Sequence, residues 1–202
     1  MKAAIIIARI LSTVFRPVYY PLLGIFILFT ISYFSMLPWM TKLYVMMLVG
    51  IFTLLLPYTA IYIYRRLVGL RRHELRHREN RFVPYLIFLL SYLFCLHLLR
   101  QLHFPHLVTG IILVSLLVQV VCFLVNLRWK ISTHSAGSGA IIGALVAYSI
   151  LFRFDPVWWL CLAILVSGLV MSSRMLLRQH TLGQVLCGTL MGIICGYIGI
   201  IV

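Results

Sequence analysis

Acidic residues are nearly absent from this chain. Only Glu74, Glu79 and Asp155 occur among its 202 residues, against 17 Lys and Arg. Hard divalent cations are held by clustered oxygen ligands, so three scattered carboxylates argue against a magnesium- or calcium-dependent active site. We expect neither a metal nor a cofactor. The five cysteines (Cys95, Cys122, Cys161, Cys187, Cys195) all lie in apolar stretches and form no CxxC pair, which speaks against a metal-thiolate centre or a disulfide framework. Charge is scarce altogether, at 10% of residues with 63% hydrophobic. Soluble domains are roughly a quarter charged, so a water-soluble fold is excluded. A secretory signal is not expected either, because Arg9 and Arg16 interrupt and close the first apolar stretch.

What the chain does contain is long uncharged runs. They cover roughly Pro17–Leu37, Leu43–Tyr64, Phe82–Leu99, Leu107–Leu127, Ser135–Phe152, Val157–Met171 and Thr181–Val202, with lengths suited to a bilayer. Tyr19, Tyr20, Trp39, Trp129, Trp158 and Trp159 fall near run ends, where amphipathic rings sit at headgroup level. Pro57 inside the second run predicts a kink. The expected fold is therefore an all-α polytopic transmembrane bundle of about six to seven spans. It forms one integral membrane domain over 1–202, with residues 1–16 as an interfacial helix along the membrane.

The basic residues are distributed unevenly. With seven spans, one side carries fourteen Lys and Arg, and the other only Lys42, Arg100 and Arg153. The positive-inside rule puts the basic side in the cytoplasm. A net charge of +14 on such a chain points to anionic headgroups or lipid phosphates as partners, and not to nucleic acid. Compact size and the lack of a targeting segment suggest a bacterial inner membrane.

Three segments on that side carry chemistry: Arg71–Pro84, Lys130–Gly137 and Ser172–Gln184. Together they supply the parts for phosphoryl transfer without a metal. Guanidinium forks match phosphate oxygens, a neutral imidazole can attack phosphorus, and a protonated one can donate to the leaving alkoxide. Gly139, Gly143 and Ala147 recur at four-residue spacing after His134, as do Gly188, Gly192 and Gly196 after His180. Small residues on one face allow close helix approach, which would bring the two histidines to one mouth. His73 and His77, four apart among arginines, read as a solvated helix surface. His97 inside the third run reads equally as a packing residue or a functional one.

These segments resemble the tripartite signature of the type 2 phosphatidic acid phosphatase superfamily, membrane phosphatases that act on lipid phosphates. Ser173-Arg174 followed by five residues and His180 matches its third element. Ser132-Thr133-His134 matches the Ser and His of the second, with Ile131 in place of Pro and Thr133 in place of Gly. The resemblance extends from Arg72 onward, implying a phosphatase-like core over 72–202. It implies His180 as nucleophile of a phosphohistidine mechanism and His134 as general acid. Arg174, Ser132, Ser173, Arg81 and Arg78 would hold phosphate oxygens. The implied substrates are polyprenyl diphosphate, phosphatidylglycerophosphate or phosphatidic acid.

Two departures stand out. The first element is degenerate, with Glu74 at the Lys position if Arg81 takes the Arg position, and Pro delayed to Pro84. Gln184 stands four residues after His180, where the family has Asp. At that spacing the two side chains share a helix face, so Gln184 is expected to orient the imidazole without supplying charge. A catalytically impaired member that binds lipid phosphate or scaffolds a membrane complex is the alternative.

Overall fold

Hydropathy becomes helix throughout the computed structural model, which describes residues 2–69, 82–153 and 155–202. Among these residues there is no strand. Six helical stretches among the described residues are long and apolar enough to cross a membrane: Trp39–Val68, Val83–Gln101, His106–Asn126, Thr133–Phe152, Val157–Leu176 and Leu182–Ile201. Their outward faces carry large apolar side chains, including Leu162, Leu165, Leu169, Leu190 and Ile194, as lipid-facing helices require. The chain is an integral membrane protein.

The first expected span differs from its reading. Helix α1 (Lys2–Val14) is followed by a 3₁₀ turn (Pro17–Tyr19), α2 (Tyr20–Ile31) and a second 3₁₀ turn (Tyr33–Met36). Ser32 breaks the run: its backbone is extended and its side chain accepts from Phe34 N, the local competition typical of serine. At 12 residues α2 is too short to cross a bilayer core of about 30 Å. A seventh span exists only if Ala3–Val14 and Pro17–Thr30 together make one bent crossing.

By packing, the chain falls into two compact units, Pro21–Pro105 and Met1–Tyr20 with His106–Val202. In the first, α3 (Trp39–Gly50) passes through a π-helical turn (Ile51–Leu55) into α4 (Leu56–Val68). The expected kink at Pro57 takes this form. Proline has no N–H for the carbonyl four residues back, and a widened turn absorbs the mismatch. Helix α5 (Phe82–Gln101) helps satisfy the released backbone, since the Ser91 hydroxyl donates to the Phe52 carbonyl.

The other unit contains α1 and four long helices, α6 (His106–Asn126), α7 (Thr133–Phe152), α8 (Val157–Leu176) and α9 (Leu182–Ile201). Its centre is the α7–α9 contact. A side-chain carbon built on Gly188 would sit 2.8 Å from the Ser132 carbonyl oxygen; on Gly192 it would overlap that of Ala136, and on Gly196 that of Ala140. Gly139 and Gly143 meet the Thr189 and Ile193 carbonyls in the same way. Residue numbers rise together along both helices, so α7 and α9 run parallel. Their N-terminal ends, and with them the α6–α7 and α8–α9 loops, lie at one end of the unit. Gly110 and Gly199 bring α6 against α9, and Ser138 and Ser167 share a buried 3.0 Å hydrogen bond between α7 and α8.

Candidate active site

The α6–α7 loop ends in a tightly held helix start. Ser132 caps α7, its Oγ accepting from Ser135 N at 3.3 Å and from Ser135 Oγ at 2.9 Å. Asn126 Oδ1 accepts from Ile131 N at 3.2 Å, tying the loop to the end of α6. Lys130 reaches across to the α8–α9 loop and donates to the Gln179 carbonyl at 2.8 Å. Leaving α8, Arg178 takes a left-handed conformation (φ 51°). This reversal, more often made by glycine, brings His180 to the head of α9.

At that head, Gln184 serves two partners. Its Oε1 accepts from Thr181 N at 3.3 Å and lies 3.1 Å from His180 Nδ1, within a capping box formed with Thr181. The backbone N–H can only donate, so it settles which amide atom is oxygen. That oxygen can only accept, so His180 carries a proton on Nδ1. Its lone pair is then on Nε2, the nitrogen that can attack an electrophile.

His134, in the first turn of α7, is half-buried and lies within electrostatic reach of Arg174, His180 and Arg16. Its Nε2 lies 3.2 Å from the Ser12 carbonyl oxygen and must be the donor there. Arg174, in the last turn of α8, donates from Nη1 to Ser12 Oγ at 2.5 Å, while its Nε is buried and unpartnered. Among the described residues the only acidic side chain is Asp155, which accepts from Val157 N at the opposite end of α8. The positive charge of Arg174 and Arg16 therefore has no protein counter-ion among the described residues, and the N-terminal dipoles of α7 and α9 add to it. Such a site favours an anion. No group of three His, Cys, Asp or Glu comes together among the described residues, so these residues form no metal cage.

The expected residues divide into three groups. His134, Arg174, His180 and Gln184 come together at one end of the unit. Ser132 is fully buried as a helix cap, and Ser173 is buried with its hydroxyl donating to Val170 O at 2.7 Å. Ser173 thus gives its hydroxyl proton to its own helix, whereas Ser132 Oγ accepts two hydrogen bonds from Ser135. Arg78 and Arg81, like His73 and His77, lie outside the described residues. His97 is exposed on α5, in the other unit.

Sequence reasoning missed the contribution of the N-terminal segment, from α1 to the first residue of α2. Tyr20 packs its ring against Gly137 and directs its hydroxyl to the carbonyls of Phe15 (3.3 Å) and His134 (3.4 Å). Ser12 is buried against Arg174 and His134. The one available signal was Ala8 and Ser12, small residues four apart on an otherwise isoleucine-rich helix.

No curated protein and no solved structure matches the chain. The match is to a family model, that of the PAP2 superfamily, over residues 122–202. This stretch runs from the end of α6 through α7, α8 and α9, and holds His134, Arg174, His180 and Gln184. The matched stretch is similar to the PAP2 superfamily, which supports phosphatase chemistry on lipid-like phosphates at the coarse level.

Proposed function

We propose that this chain removes the terminal phosphate of a lipid phosphate monoester or diphosphate, without a metal, through a phosphohistidine on His180. The observation that carries the reading is the Thr181–Gln184–His180 hydrogen-bond chain, which puts the proton of His180 on Nδ1 and so its lone pair on Nε2. Nε2 attacks phosphorus as the bond to the lipid oxygen breaks. His134 gives that oxygen its proton. Because Nε2–H of His134 is engaged by the Ser12 carbonyl, the proton comes from Nδ1 of the imidazolium, with the phosphate dianion as its counter-charge. Water then attacks the phosphorus–nitrogen bond, with His134 as base, and releases inorganic phosphate and neutral His180. Arg174 neutralises charge on the transferring group, and Arg78 and Arg81 are the candidates for a further share of that role.

Polyprenyl diphosphate, phosphatidylglycerophosphate and phosphatidic acid all present such a phosphate. The same reading sets the protein in a bacterial inner membrane with the motif loops facing the cytoplasm, on the strength of the basic-residue asymmetry. The test is phosphate release by purified protein from these three lipids, with His180→Ala alongside. Release by the wild type that falls to background in the variant is the expected result. A folded wild type that releases nothing from the whole panel would overturn the enzyme reading.

One observation favours a second reading. Gln184 orients His180 but brings no negative charge to stabilise the cationic intermediate, as expected of an impaired member that binds lipid phosphate without turning it over. In that case Gln184→Asp would create activity that the wild type lacks.

A further inference from the structure

We propose that Ser12, in the N-terminal helix, is a positioning residue for the phosphate site, holding its arginine and its acid histidine in register with each other. The inference rests on the phosphate reading above and adds a helix outside the matched family region.

Two atoms of one residue make the two contacts. The Ser12 hydroxyl oxygen accepts from Arg174 Nη1 at 2.5 Å. The Ser12 carbonyl oxygen accepts from His134 Nε2 at 3.2 Å. Arg174 belongs to the last turn of α8 and His134 to the first turn of α7, so each could otherwise choose among rotamers independently. A long arginine side chain loses much freedom when ordered, and a site that must offer N–H groups at fixed angles needs that ordering beforehand. Arg174 Nε is sealed from solvent with no partner, so anion contact falls to the two Nη nitrogens. Ser12 anchors one of them and thereby sets the direction of the other.

The backbone around Ser12 is itself held in place. Ala8, one turn earlier, is buried, and α1 packs along α8. Beyond it, the Tyr20 hydroxyl spans the carbonyls of Phe15 and His134. The outer face of α1, with Ile6, Ile7, Ile10 and Val14 exposed, is suited to lipid. The helix is thus supported on both sides with Ser12 facing the site.

The test uses the full chain in detergent, comparing wild type, Ser12→Ala, Ser12→Thr and Thr13→Ala. Thr13 bonds only its own helix, at the Arg9 carbonyl, and serves as the control. Two readouts are taken: kcat and KM on the lipid phosphate the wild type cleaves best, and affinity for inorganic phosphate by thermal shift. Ser12→Ala should weaken phosphate affinity and raise KM about tenfold, the effect of one charge-assisted hydrogen bond, with a smaller change in kcat. Ser12→Thr, which keeps the hydroxyl, should stay within about twofold, and Thr13→Ala should match wild type. Unchanged affinity in Ser12→Ala overturns the proposal. Tighter affinity also overturns it, and would show that Ser12 occludes the site. If wild type binds phosphate but hydrolyses nothing, the catalytic reading fails while the affinity comparison still decides the role of Ser12. If wild type binds no phosphate, both fail.

Discussion

Gln184 poses the sharpest question at the scale of single residues. In hydrolytic triads, exchanging the carboxylate for an amide costs on the order of 10⁴ in rate, largely because the imidazole settles in the wrong tautomer. Here the Thr181 N–H holds the amide oxygen toward His180, so the tautomer is right and only the charge is missing. Gln184→Asp should therefore raise kcat by about ten- to a hundredfold and not by the full triad factor. Gln184→Leu removes both the cap and the orienting bond and should lower kcat by roughly 10². Steady-state phosphate release on the three purified proteins measures both changes. The pairing of His180 with Gln184 was legible in their four-residue spacing, although His180 stands before α9 and the contact is made through the capping box at Thr181 and not along one helix face. The engagement of Ser132 and Ser173 was not. Sequence shows that a serine is present, while the direction of its hydroxyl depends on which backbone groups lie within reach.

At the scale of elements, α7 and α9 stand or fall together. Backbone carbonyls of Ala136 and Ala140 occupy the space where side chains on Gly192 and Gly196 would go, so no rotamer can relieve an added carbon. Gly192→Val should lower stability by about 3 kcal/mol or more and separate His134 from His180. A lowered thermal midpoint together with lost phosphate release is the expected outcome. Gly168 on α8 has nothing within 4 Å of a built side-chain carbon, and Gly168→Ala should leave the midpoint unchanged or slightly raised. The glycine spacing announced a close helix contact in advance. It did not reveal that Ser138 and Ser167 would pair between α7 and α8, since neither serine belongs to a repeating pattern.

At the scale of the whole molecule, the prediction concerns sidedness. α7 has 20 residues, about 30 Å of helix and enough to cross the hydrocarbon core, as has α8. The α6–α7 and α8–α9 loops must then face one compartment and the α7–α8 loop the other. Single cysteines at Arg128, Gln179 and Asp155, in a chain freed of Cys161 and Cys187, should react with an impermeant thiol reagent accordingly. Arg128→Cys and Gln179→Cys should label together from the cytoplasmic side, and Asp155→Cys from the opposite one. Labelling of the first two only from outside would reverse the proposed orientation.

The sequence by itself determined the membrane class and most of the long helices, and its small-residue spacing pointed to a close approach of α7 and α9. Hydropathy and small-residue spacing act over a few residues, and each leaves its mark where it acts. Tertiary structure alone decided that Ser12 would meet Arg174, 162 residues away in the chain. It also decided that the first apolar run would break at Ser32 and that α1 would pack on α8 as part of the site. Such contacts depend on which surfaces remain uncovered once the long helices have packed, and that is a property of the assembled bundle and of no single segment.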